Sequence, residues 1–118
     1  MSRGAQTPEE LETLLEDAFV VRDREALAQL FEDGAVLGAS RDGAQARGSG
    51  QIERLASLLW DRDYSYLAGP QRVLQARDTA LVVASHGINV VRRRGDGSWL
   101  YAISLLLDMD DTTKGRTR

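Results

Sequence analysis

Few side chains in this 118-residue chain could do covalent or metal chemistry. There is no cysteine and only one histidine, His86, which excludes thiol nucleophiles, iron–sulfur ligation and a disulfide framework. A single histidine cannot build an H-E-x-x-H or three-histidine zinc centre. A Schiff base would have to use Lys114, the only lysine, in a polar C-terminal stretch. His86 has no evident carboxylate partner in sequence and reads as a surface or structural histidine before a catalyst. Asn89 stands among Ile88, Val90 and Val91. An amide there either orients a ligand carbonyl or hydroxyl or bonds to backbone across a sheet. Ser104 alternates with Ala102 and Leu106, which leaves cavity volume or packs as core. Trp60, Tyr64 and Tyr66 fall where helix gives way to strand, as a pocket rim or as core. Gly48-x-Gly50 lacks the Lys-Ser/Thr and the preceding strand of a phosphate loop. Asp108, Asp110 and Asp111 lack calcium-loop spacing and read as a solvated strand end. No metal site and no cofactor are expected.

The elements that must position these residues begin with helices. Thr7, Pro8 and Glu10 predict an N-cap, a first helical residue and a capping box. Leu11, Leu14, Leu15, Ala18 and Phe19 then form a helical stripe. Asp23 caps a shorter helix bearing Ala26, Leu27, Leu30 and Phe31, which Gly34 ends as a left-handed residue would. Residues 35–39 read as a short buried strand and 40–50 as a loop. Ser49 is expected to cap a third helix carrying Ile52, Leu55, Ala56, Leu58 and Leu59. Strands follow over 64–68, 72–76, 79–84, 88–92 and 98–108, with Gly95-Asp96-Gly97 a hairpin signal. Ser85-His86-Gly87 is either a hairpin turn, with His86 at an exposed tip, or an irregularity within one long strand. Residues 1–109 form a single domain and 110–118 a polar tail.

Charge narrows the partners. A net charge of −3 and a pI near 5.1 disfavour nucleic acid, and Arg92-Arg93-Arg94 reads as a solvated strand end. No stretch reaches the ~18 apolar residues of a membrane span. Residues 1–10 are polar without a signal-peptide core, so the cytoplasm is the expected location. The excess of arginine over lysine fits a GC-rich bacterial genome.

The order helix, short helix, strand, Gly-rich loop, helix and meander carries a family likeness. Residues 19–36, with Arg22-Asp23 ahead of Ala26-Leu27 and Leu30-Phe31 and then Asp33-Gly34-Ala35-Val36, resemble the nuclear-transport-factor-2-like (NTF2-like) superfamily. They are most similar to its bacterial SnoaL-like, polyketide-cyclase-like branch. Arg47-Gly48 with Ile52 and Asp96-Gly97-Ser98-Trp99-Leu100-Tyr101 extend the likeness over residues 8–108. The resemblance implies an α+β, cystatin-like fold, with a cone-shaped curved antiparallel sheet packed against three N-terminal helices. It also implies an apolar pocket between helices and sheet. The superfold hosts many chemistries, so function rests on the site. Where the steroid-isomerase branch holds a base, a tyrosine and a protonated acid, this chain places Ala39, Leu15 and Asn89. An Asp–Arg–Asp set is suggested only by Arg77-Asp78, which reads as a turn. No acidic residue is expected inside the pocket.

The resemblance therefore implies a SnoaL-like small-molecule-binding protein, its ligand a hydrophobic cyclic or polyketide-like compound. The ligand-facing candidates are Asn89, Ser104, Tyr66, Trp60 and Phe19, and the question of catalysis stays open. The alternative is a non-enzymatic dimerisation or sensor module, its pocket filled by Leu15, Phe19, Leu59 and Leu106. On the last strand, alternation puts Trp99, Tyr101, Ile103, Leu105 and Leu107 on one bulky apolar face. Each such side chain is worth about 1.5–3 kcal/mol when buried, so a homodimer through this face is expected.

Overall fold

The computed structural model describes residues 4–40 and 43–107; Asp108, the polar tail at 110–118 and Lys114 lie outside them. The order is α1 (Pro8–Val21), α2 (Arg24–Ala28), β1 (Phe31–Ala39), β2 (Gln45–Arg47), α3 (Gly48–Asp61), β3 (Pro70–Ala76), β4 (Thr79–Ala84), β5 (Gly87–Arg93) and β6 (Trp99–Leu106). The strands make one open sheet in the order β2-β1-β6-β5-β4-β3. Four of its pairings are antiparallel, but β1 runs parallel to β6, so the α+β sheet is mixed. No helix among the described residues is long and apolar enough to cross a membrane.

The predicted start of α1 is present. Thr7 accepts from the Glu10 amide at 3.0 Å, and Glu10 reaches back to the Gln6 amide at 2.8 Å. Arg22 turns left-handed at φ 54°, and Asp23 then caps α2 by accepting from Ala26 at 3.0 Å. Helix α2 is shorter than its sequence pattern suggests. Leu30 falls outside it, and Phe31 already opens β1, where its Cα pairs with Tyr101. Gly34, at φ 77°, does not end a helix; it lies within β1, between Phe31 and Val36, where the register shifts. Within the expected 40–50 loop, Gln45–Arg47 forms edge strand β2. Arg47, not Ser49, is the N-cap of α3, without a side-chain bond to the helix. Residues 64–68 are not a strand; they cross as a loop tied to α1 by the Ala68 amide, 2.8 Å from Glu16.

Leu11, Leu15, Ala18 and Phe19 of α1 and Ile52, Leu55, Ala56 and Leu59 of α3 share one core with Leu37, Val82, Val91, Tyr101 and Leu106. The inner face of the sheet is thus the face that the helices cover. Cross-strand registry sets what points inward: Leu37, Ser104, Asn89, Val82 and Val73 stand in one row across β1, β6, β5, β4 and β3.

Strand β6 does not alternate as its sequence suggests. Val90 pairs with Ile103 but Val91 pairs with Tyr101, so Ala102 is an extra residue in the ladder. A bulge of this kind inverts the phase of side chains on either side of it. Trp99 and Tyr101 therefore point inward and are buried, whereas Ile103 and Leu105 point outward at 51% and 37% exposure. The five-residue face expected from alternation is split between the two sides.

Candidate functional site

Glu12 is the residue around which the interior polar groups gather. It lies on the inner stripe of α1 with Leu15 and Phe19, three and seven residues on, and is 0% exposed. Its Oε1 accepts from the Tyr66 hydroxyl at 2.5 Å. Its Oε2 accepts from the Tyr101 hydroxyl at 2.7 Å and from Asn89 Nδ2 at 2.8 Å. Asn89 Nδ2 also approaches the Tyr66 oxygen at 3.3 Å, and Asn89 Oδ1 accepts from Ser104 at 2.6 Å. The expectation of no acid inside is thereby corrected. The signal was present, since a carboxylate at i, i+3, i+7 spacing with Leu15 and Phe19 must share their face.

Each partner is placed by a different element. Asn89 and Ser104 are cross-strand neighbours on β5 and β6. Tyr101 is inward because it precedes the bulge, and Tyr66 arrives from the loop after α3. Gly87 makes that arrival possible: a Cβ there would lie 3.2 Å from the Tyr66 ring and hydroxyl and 3.3 Å from the Leu105 carbonyl. All three donors to Glu12 are neutral. Burial, and secondarily the Glu12 charge, push the Tyr66 phenol far above its ordinary range. Burial and the same charge do so for Tyr101. Both phenols stay protonated and serve as fixed donors. An acceptor held by pre-set donors in a low-dielectric interior makes a rigid polar cluster.

Tyr66 also joins this cluster to an aromatic one. Its ring centroid is 6.0 Å from that of Phe19, which lies 5.6 Å from Trp60 and 6.0 Å from Tyr64. The His86 ring centroid lies 6.1 Å from that of Tyr66. The turn after β4 does form at Ser85-His86, but His86 is half-buried there and not at an exposed tip. The five candidates thus follow one chain of contacts: Ser104, Asn89, then through Glu12 to Tyr66, Phe19 and Trp60. Leu15, Phe19, Leu59 and Leu106 are all buried in the same core. An open groove of about 670 Å³ at the α1–α2 corner is lined by Val21, Arg22, Asp23, Arg24, Glu25 and Glu53. It is mostly charged, mixes both signs and includes none of the candidates. Among the described residues no group of His, Cys, Asp and Glu is placed to hold a metal ion.

No protein-family model matches the chain, and no curated protein matches it in sequence. Solved structures do match in shape. A protein described as a calcium/calmodulin-dependent protein kinase type II association domain, from Thiobacillus denitrificans, superposes with a TM-score of 0.73 at 15% identity, covering 90% of this chain and 98% of that one. An NTF2-like protein with a cystatin-like fold, from Novosphingobium aromaticivorans, gives 0.69 at 19% identity, covering 86% and 79%. A protein with a ketosteroid isomerase-like fold from Catenulispora acidiphila, in complex with trimethylamine, gives 0.60 at 19%, covering 84% of each chain. At such identities the likeness speaks for architecture and leaves chemistry to the site. The chain has the NTF2-like, cystatin-like fold of the superfamily that its helix and hairpin motifs resemble.

Proposed function

We propose that this chain is a small-molecule-binding protein that takes a hydrophobic cyclic or polyketide-like compound between its helices and the inner sheet face. The observation that carries the reading is the fully buried Glu12 carboxylate with Tyr66, Tyr101 and Asn89 around it. Replacing a buried ionic cluster by apolar side chains is often neutral, or stabilising by about 1–4 kcal/mol. A fold that needed only packing would gain little from these residues. A binding site gains a polar floor whose rotamers are locked by mutual hydrogen bonds. Phe19, Trp60 and Tyr66 supply apolar walls beside it. Asn89 braces this floor, its Nδ2 donating to Glu12 at 2.8 Å and approaching the Tyr66 oxygen at 3.3 Å. Ser104 keeps that amide oriented. The trimethylamine complex of the Catenulispora neighbour supports the fold's capacity to receive a small molecule. Thermal shift against a library of aromatic and polyketide compounds tests the reading with wild type and Asn89→Leu. At least one compound class is expected to raise the wild-type Tm, and less so in the variant. A library that moves no Tm sinks the reading; equal shifts in both proteins remove Asn89 from it.

Homodimerisation is a second reading, carried by the outer sheet face. Val36, Ile103, Val90, Leu81 and Leu74 stand in one row across five strands, and Leu105, Ile88 and Val83 in the next. Leu74, Ile88, Ile103 and Leu105 are 37–52% exposed. A contiguous apolar face of this kind is a candidate interface. Trp99 and Tyr101, buried on the other side, take no part in it. The kinase-type association domain among the neighbours lends the reading support. Light scattering at tens of micromolar should give a dimer, and Ile103→Lys with Leu105→Glu a monomer. A strictly monomeric wild type ends this reading.

A further inference from the structure

Trp60 ends the inner face of α3 at 5% exposure, and its Nε1 is buried with no hydrogen-bond partner. An indole N–H is a donor only, and a buried donor left unmet loses its hydration with nothing to replace it. His86 Nδ1 is likewise buried and unpartnered. Both unmet atoms sit on the same aromatic cluster, Trp60 against Phe19 and His86 against Tyr66. The Glu12 oxygens and both ends of Asn89, by contrast, have their hydrogen bonds. Polar demand in the interior is thus concentrated at the aromatic end.

We infer that Trp60 Nε1 is the orienting donor of the ligand, and that the ligand is a neutral ring compound carrying an acceptor oxygen, as a ring ketone or hydroxyl. This rests on the small-molecule reading and narrows it. A donor-only group selects an acceptor. An anionic acceptor is disfavoured, because Tyr66 is bonded directly to the Glu12 carboxylate and like charges repel strongly in a low-dielectric interior. An ammonium ligand is disfavoured by the indole N–H itself, whose hydrogen carries positive charge.

The test uses a matched bicyclic set, tetralin, 1-tetralone and 1-tetralol, titrated into wild type and Trp60→Phe. Wild type is expected to bind the two oxygenated compounds about five- to tenfold more tightly than tetralin, the worth of one buried hydrogen bond. Trp60→Phe keeps an aromatic wall and should bind all three alike. A Trp99→Phe variant leaves Trp60 as the only indole, whose emission should shift with tetralone and not with tetralin. Wild type that does not prefer the oxygenated compounds overturns the inference, without recourse to any variant. A preference that persists in a folded Trp60→Phe overturns it too, as does a Trp60 signal explained by a trapped water alone and indifferent to ligand. If other library compounds raise the Tm while these three do not bind, the inference falls and the binding reading stands. If nothing binds, both fall.

Discussion

Exchanging Glu12 for glutamine keeps the shape of the side chain and removes one acceptor, so its cost can be worked from the geometry. The amide nitrogen must replace either Oε1 or Oε2. At Oε2 it would face Asn89 Nδ2, two donors at 2.8 Å, while Tyr101 turned its hydroxyl toward the Leu11 carbonyl at 3.5 Å. At Oε1 it would donate to the Tyr66 oxygen, and the Tyr66 hydroxyl hydrogen would lose its acceptor. The second arrangement leaves one buried donor unmet and converts charge-assisted hydrogen bonds into neutral ones. Together these cost about 2–4 kcal/mol. For a domain of this size that is a fall in Tm of about 8–16 °C. Calorimetry and urea denaturation of Glu12→Gln measure it. A loss below about 1 kcal/mol would falsify the claim that three donors converge on this carboxylate. A companion variant separates stability from function. With Glu12→Leu, Asn89→Leu, Ser104→Ala, Tyr66→Phe and Tyr101→Phe together, no donor of the cluster is left without its acceptor, and stability should return toward wild type. Ligand-induced shifts in Tm should nonetheless disappear.

Alkaline pH supplies an independent check. Tyr66 and Tyr101 have folded-state pKa values raised above the ordinary phenol value of 10.0, chiefly by burial. The unfolded chain releases these protons near that value while the folded chain keeps them. Their contribution is therefore complete below pH 10 and declines as pH rises further, by up to about 1.4 kcal/mol per pH unit for each phenol. Urea midpoints between pH 8 and 11 should show this decline, and Tyr101→Phe should have a shallower one; a pH-independent wild type contradicts the burial of the phenols. Gly87→Ala should destabilise by about 1–3 kcal/mol, because the new methyl meets the Tyr66 ring on one side and an immobile carbonyl on the other. Unchanged near-ultraviolet tyrosine signals and Tm in that variant would show that Tyr66 is not seated where this packing places it.

Local chemistry was legible wherever neighbours in sequence are neighbours in space. The Thr7 and Asp23 caps, the apolar stripe of α1, the turn at Gly95-Asp96-Gly97 and the family-like order of elements all depend on contacts a few residues long. Even there, one inserted residue misled: alternation along β6 put Tyr101 and Ile103 on one face, because a bulge is a property of two strands' registry and not of one strand's pattern. The interior site was half legible. Asn89, Ser104, Tyr66, Trp60 and Phe19 stood out singly by type and setting, but nothing in the linear order joins them.

What the chain determined by itself was an inventory: no thiol, one histidine, an acidic balance, three helices and a run of strands able to close over an apolar interior. Glu12, read alone, is an ordinary helical glutamate in an acidic first half of α1. Only the tertiary structure decided that it is fully buried, because its fate depends on residues 54, 77 and 89 positions away arriving at the same point. A carboxylate acquires its role from the donors that replace water around it, and those donors come from three separate elements that folding brings together.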